Sequence, residues 1–284
     1  MEQPSFLNID EQLIQNLIIP RPAEGHKGTF GHTLIIAGST GTTGAAMLSA
    51  KAALHTGCGL LTVHIHKKAE TALLCQLPEA MLSPRRKGKL HLELTRYNAI
   101  GFGPGVGVNE DSARLLLSLL ENYRKPLVID ADGIMLLAQH KDWYHLLTQQ
   151  MILTPHPKEF DRLTQEHTSA EDRFNTQLQF SKNHRVIVVL KGHRTTITFP
   201  DGRVYRNTTG NNGMATGGSG DVLTGILASL CAQGYTTHDA ALLGTYLHGF
   251  AGDAAARKLS ATSMIASDII AGITDFFRQY ERQA

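Results

Sequence analysis

Asp221 stands directly after Gly217–Gly218–Ser219–Gly220 and directly before an apolar run, Val222–Leu230. Six glycines (Gly210, Gly213, Gly217, Gly218, Gly220 and Gly225) fall within the sixteen positions that end at Gly225. Glycine tolerates φ > 0 and lets a ligand approach the backbone closely, so such clustering suits a loop that wraps a ligand. The apolar run reads as a helix opening at Asp221, which puts Gly218–Gly220 at its N-terminus. Free N–H groups and the positive end of the helix dipole hold anions there. The chemistry on offer is a carboxylate base, Asp221, beside an anion hole made by Gly217, Gly218, Ser219 and Gly220. A flexible loop followed by an ordinary first-turn aspartate is the plainer account. The glycine density and the hydroxyls of Thr208, Thr209, Thr216 and Ser219 favour the ligand loop. The pattern G-x-x-x-x-G-K-[ST] is absent, which argues against a Walker-type nucleotide site.

Something must carry this loop, and the rest of the chain reads as βα units. Thr33–Ala37 is a short apolar run of the kind buried on both sheet faces, and it ends in Gly38–Ser39–Thr40–Gly41. Gly44 then opens a helix that Gly57 closes. The spacing at Gly38, Gly41 and Gly44 is not G-x-G-x-x-G. The next strand, Leu60–His66, also ends without an acidic residue for a ribose, so a Rossmann dinucleotide site is disfavoured. His64 and His66 alternate with Val63 and Ile65, and without a third ligand nearby they read as a surface-facing strand edge rather than a metal pair. Further strands are expected at Asn98–Phe102, Pro126–Asp130, Met151–Thr154 and Val186–Leu190. A hairpin follows at Thr195–Phe199 and Val204–Arg206. Helices are expected at Asp10–Leu17, Glu110–Tyr123, from Pro157, at Asp221–Ala232, at His238–Lys258 and over about Ser263–Arg278. The fold class is therefore α/β, a mostly parallel central sheet with helices on both faces, in one domain over residues 1–284. Ligands bind beyond the carboxyl ends of such strands, where Gly38, Gly103–Gly107, Asp130, Asp132, His156, Lys191 and Gly192 collect.

With 27 Lys+Arg against 25 Asp+Glu, the formal net charge is only +2, which gives no case for a nucleic-acid partner. Lys67–Lys68 and Arg85–Arg86–Lys87 read as solvated surface. Cys58, Cys75 and Cys231 are widely spaced without a CxxC, which argues against a disulfide framework or a zinc site. No segment reaches the roughly eighteen apolar residues of a membrane helix, and no basic leader precedes an apolar core. A cytoplasmic location without membrane contact is the expectation.

The segments GHTLIIAGSTGTTGAAMLSAKAALHTGCGLLTV, GFGPGVG, IDADGI, LTPHPKEF, LKGHRT and NTTGNNGMATGGSGDVLTG occur in this order. Together they resemble the ADP/ATP-dependent NAD(P)H-hydrate dehydratases, a family of the ribokinase-like superfamily, over about residues 25–278. The sequence departs from the family pattern at Met135, in place of asparagine, and at Asn212, in place of proline; neither change removes a reacting group. The resemblance implies repair of hydrated NADH and NADPH (S epimer) at the expense of ADP, giving AMP and phosphate, or of ATP, giving ADP and phosphate, with Mg²⁺. It assigns Asp221 as base. Ala45, Gly105, Gly107, His156 and Asp221 would touch the hydrate; Lys191, Gly192, His193, Arg194, Thr195 and Gly220 would hold the nucleotide. It assigns no protein metal ligands; Asp130 and Asp132 could help to place Mg²⁺ or simply cap a helix. It further implies a homo-oligomer, specifically a tetramer, and a functional link to an NAD(P)H-hydrate epimerase. A small-molecule kinase of hydroxyethylthiazole or hydroxymethylpyrimidine type, and an adenine-nucleotide-binding regulator without turnover, are the alternatives. Few apolar side chains anchor the loop Thr208–Ser219, so it is expected to be mobile when empty and ordered by nucleotide.

Overall fold

The computed structural model describes residues 6–85 and 92–281. Arg86 and Lys87 of the second basic cluster therefore lie outside the described residues. The first half of the chain comprises β1 (Leu7–Ile9), α1 (Glu11–Leu17), β2 (His32–Ile36), α2 (Thr43–Thr56) and β3 (Leu60–His66). It continues through α3 (Glu70–Gln76), β4 (Met81–Arg85), β5 (Ala99–Phe102), α4 (Glu110–Asn122), β6 (Leu127–Ile129) and α5 (Asp132–Gln139). The second half comprises β7 (Met151–Leu153), α6 (Pro157–Leu163), α7 (Ala170–His184), β8 (Ile187–Leu190), β9 (Thr196–Thr198) and β10 (Val204–Asn207). Three helices close it: α8 (Ser219–Ala232), α9 (Thr237–Lys258) and α10 (Ala266–Glu281).

Among the described residues ten strands form one sheet in the order β1-β10-β9-β8-β7-β6-β5-β2-β3-β4. Only β9 runs antiparallel to its neighbours. The alternation of β2 shows why both faces are covered: Leu34 and Ile36 join one apolar layer, Ile35 and Ala37 the other. The first layer contains residues of α4, α5, α6 and α7; the second contains residues of α1, α2, α3, α8, α9 and α10. The chain runs outward from β2 to β3 and β4, then returns to the other side of β2 as β5. That reversal opens a crevice at the carboxyl ends of β2 and β5.

α8 is the central helix, with every residue from Val222 to Ala232 buried. Gly225 lets it press onto α2: a Cβ there would lie 2.1 Å from the Ser49 carbonyl oxygen, where no side chain fits.

Several expectations change. Strands β1 and β4 were not anticipated, and they form the two edges of the sheet. His64 is consequently not at an edge: it is buried, with Nδ1 3.1 Å from Ser83 Oγ on β4. Burial, and then the Arg85 charge, push its pKa down to about 4, so it sits as a neutral core histidine. His66 accepts from the Lys68 amide and caps a short 3₁₀ turn. α8 opens at Ser219 rather than Asp221, because Gly218 already supplies the cap.

Candidate active site

Gly218 takes φ +90° at the cap of α8, and a Cβ on it would collide with Leu48 of α2 at 2.4 Å. Only glycine turns the chain here. The first intrahelical bond is Val222 N–H to Gly218 O, 3.1 Å. The amides of Gly220 and Asp221 precede it, so the helix does not use them. Gly220 is also a close-approach position, since a Cβ would stand 3.2 Å from Lys191 Nζ.

Behind this turn lies an ionic network. Lys191, at the end of β8, donates to Asp130 Oδ1 at 2.7 Å, and Thr224 of α8 donates to Asp130 Oδ2 at 2.7 Å. Glu159 Oε2 is 3.9 Å from the same ammonium. Burial alone would pull the Lys191 pKa down, but Asp130 and Glu159 hold it above its ordinary value. Asp130 is 1% exposed, so its charge depends on these two donors. Ala131 follows with φ +47°, a strained conformation for a residue with a Cβ. The kink sends its flanking carboxylates to different partners: Asp130 to Lys191, and Asp132 to the Gly107 amide at 2.8 Å.

Asp221 carries the perturbed charge. Burial, reinforced by the negative Asp130 and Asp132 and opposed by Lys191, raises its pKa to about 6. A carboxylate tuned to that value is a competent base near neutral pH.

A cleft of about 630 Å³ opens on one side of this turn. Lys191, Gly192, His193, Thr195, Ser219 and Gly220 line it, six of the residues expected around nucleotide and phosphate. A Cβ at Gly192 or Gly217 would meet nothing within 4 Å. His156, expected against the hydrate, lines this cleft too. It also caps α6: its Nδ1 accepts the Glu159 amide at 3.2 Å while Glu159 accepts the His156 amide at 2.8 Å. Arg194 does not line this cleft; it lines a neighbouring one across the turn.

Ala45, Gly105 and Gly107 lie apart from the cleft, at the β2/β5 crevice. There the Gly38 amide bonds Pro104 O at 2.8 Å, and Thr42 Oγ1 bonds Gly105 O at 2.7 Å. Asp221 does not line the cleft either; its charge is coupled to Asp130 and Asp132, and Asp132 holds Gly107. Two half-sites thus flank the start of α8.

Sequence reasoning passed over His248 and Asp253, both on α9. His248 lines the cleft with Nε2 3.3 Å from Ser219 Oγ, and burial pushes its pKa down to about 4. Asp253 accepts the Gly210 amide through Oδ2 and the Asn211 side chain through Oδ1, both at 2.9 Å. Thr208 and Thr209 add bonds to Ile9 O and Tyr246 O. A helical period is the sole trace such contacts leave in a sequence, and it is indistinguishable from core patterning.

These anchors revise the expected loop. These bonds tie residues 208–211 to β1 and α9, which lowers the ordering entropy that a nucleotide would have to offset there. Hydrogen exchange across 208–211 is expected to be slow in the empty protein. Asp253→Ala should make it fast and raise the nucleotide KM by about tenfold or more, since it removes two charged hydrogen bonds. Fast exchange in the empty wild type would restore the mobile loop.

The sequence profile of the NAD(P)H-hydrate dehydratase family matches residues 33–275. The chain is 39% identical over 279 residues to a bifunctional NAD(P)H-hydrate repair enzyme of Moorella thermoacetica, covering 93% of this chain and 52% of that one. It spans about half the length of the first such bifunctional relatives. An ADP-dependent (S)-NAD(P)H-hydrate dehydratase of Neisseria meningitidis is 36% identical over 258 residues, covering 89% of this chain and 85% of the relative. The crystal structure of an ADP/ATP-dependent NAD(P)H-hydrate dehydratase from Bacillus subtilis, co-crystallised with ATP and Mg²⁺, superposes with a TM-score of 0.84. That match has 28% identity and covers 96% and 98% of the two chains. A parallel sheet turned at β2/β5, a glycine turn on α8 and a profile match over most of the chain agree, and this protein belongs to the NAD(P)H-hydrate dehydratase family, with a ribokinase-like fold.

Proposed function

We propose that this chain, as one catalytic domain, dehydrates the S epimers of hydrated NADH and NADPH, using ADP and releasing AMP and phosphate. The observation that carries the reading is Asp221: a carboxylate with its pKa raised to about 6, at the start of α8 between two half-sites.

The nucleotide enters the cleft beside Lys191–Thr195 and the hydrate enters the β2/β5 crevice. Asp221 takes the proton of the ring C6 hydroxyl as its oxygen attacks the terminal phosphorus of ADP; the phosphorus–oxygen bond to AMP breaks, and AMP leaves with that electron pair. The unused amides of Gly220 and Asp221 and the Lys191 ammonium stabilise charge on the moving phosphoryl group. The ring nitrogen lone pair then expels phosphate from C6, and an oxygen of the released phosphate takes the C5 proton, whose bonding pair restores the C5–C6 double bond. Phosphorylation converts a poor leaving group into a good one.

Mg²⁺ fits this site as an ion carried on the nucleotide. Among the described residues no three His, Cys, Asp or Glu side chains form a ready cage. Mg²⁺ characteristically takes one or two carboxylates plus phosphate oxygens and water. Asp130 and Asp132, whose charges raise the Asp221 pKa, are the carboxylates that would hold it, and it would neutralise phosphate charge. We further assign the chain a cytoplasmic location, a homo-oligomeric state and a functional link to an epimerase, on family resemblance. Among the described residues no helix is long and apolar enough to cross a membrane.

The test is incubation of the protein with hydrated NADH and ADP. Reduced-nicotinamide absorbance should return with one phosphate and one AMP per turnover. A stable phosphorylated product without that absorbance would make the protein a small-molecule kinase, and no turnover at all would make it a nucleotide-binding regulator.

A further inference from the structure

Across the Lys191–Arg194 turn from the nucleotide cleft lies a second cleft of about 700 Å³, on the sheet face that α7 covers. Among the described residues Lys191, Arg173, Arg194 and Arg206 line it, with Glu171 as the one carboxylate. Two of these cations are already engaged. Arg173 forms a forked pair with Asp161 at 2.7 and 2.9 Å, and Lys191 is committed to Asp130. The other two have no ion pair among the described residues. Arg194 makes a long 3.4 Å bond to Thr208 O. Arg206, on β10 opposite Thr196 of β9, places its Cζ over the Phe6 ring, 3.9 Å from the centroid, and the Phe6 and Phe174 ring centroids are 4.7 Å apart. Its Nε is sealed from solvent and has no hydrogen-bond partner among the described residues.

Stacking uses the face of a guanidinium and leaves its in-plane N–H donors free, in a fork that matches phosphate oxygens. The buried Nε stays out of reach, so the terminal N–H groups of Arg206 are the donors that an anion in the cleft meets. We propose that this cleft is a second ligand site, specific for a small phosphate-bearing anion, with Arg206 as its anchor and Arg194 as its outer clamp. The site stands whichever reaction the chain performs, because the argument uses none of the groups that act on the hydrate.

Pro157, Lys191 and Gly192 line both clefts, so the test is made with the nucleotide site already filled. Inorganic pyrophosphate is titrated calorimetrically into the full chain saturated with ADP, without hydrate. One pyrophosphate per chain is expected. Arg206→Gln should weaken it at least tenfold, and so should Asn175→Glu, which places a carboxylate on an exposed lining position where folding is not at stake. Affinity for ADP in the absence of pyrophosphate should stay within twofold of wild type in both. Failure of pyrophosphate to bind the ADP-saturated protein, binding that either variant leaves intact, or mutual displacement by ADP would each overturn the proposal.

Discussion

Asp221→Asn lowers kcat by about 10²–10⁴ and at the same time makes the folded protein more stable above pH 6. The kinetic loss follows because an amide cannot accept the hydroxyl proton. The gain in stability follows from the raised pKa of about 6. A carboxylate whose folded pKa exceeds its unfolded value is disfavoured as an anion in the fold. That penalty is absent below about pH 4, grows between 4 and 6, and is complete above 6. At 1.36 kcal/mol per pH unit, discounted for partial exposure, it is on the order of 2 kcal/mol. The wild type should therefore lose kcat tenfold per unit below about pH 6. The Asn variant should melt higher than wild type at pH 8 and equally at pH 4, while still binding ADP. A variant with most of wild-type kcat, or one less stable at pH 8, would remove Asp221 from the role of tuned base.

Lys191→Ala has the second large effect, and it is not confined to nucleotide affinity. Removing the ammonium leaves Asp130 buried with only Thr224 for a partner, which costs about 3–5 kcal/mol. It also withdraws the charge that restrains the Asp221 pKa, so the acid limb of the rate profile should move to higher pH. Nucleotide KM rises as well, since Lys191 lines the cleft. Adding Asp130→Asn removes the stranded charge and should recover most of the urea stability without recovering KM. Recovery of both would mean that Lys191 serves the fold alone.

The layers and the sheet were legible because short apolar runs ending in glycine or aspartate mark parallel strands. The edges were not. β1 has three residues, two of them exposed, and β4 carries a proline, so neither shows the pattern of a buried strand. Misplacing the edge misplaced His64, whose burial depends on β4. At the site, Asp221, Lys191 and the glycine turn were legible because their residue types fit few other uses. His248 and Asp253 were not, since a helix over 22 residues presents many side chains and the sequence does not say which one faces a loop. Arg194 shares the turn with Lys191, yet it lines only the neighbouring cleft; a linear motif does not set side-chain directions in a turn between two strands.

Gly225 has a mechanical consequence. Because it seats α8 directly on the Ser49 carbonyl of α2, backbone meets backbone where those helices cross. Ala45 lies near the N-terminus of α2 and Asp221 near that of α8, so the two positions sit on one stiff bracket. Rotamer changes cannot lengthen or shorten that span. Any change in the width of the cleft therefore falls to its opposite wall, the 191–195 turn.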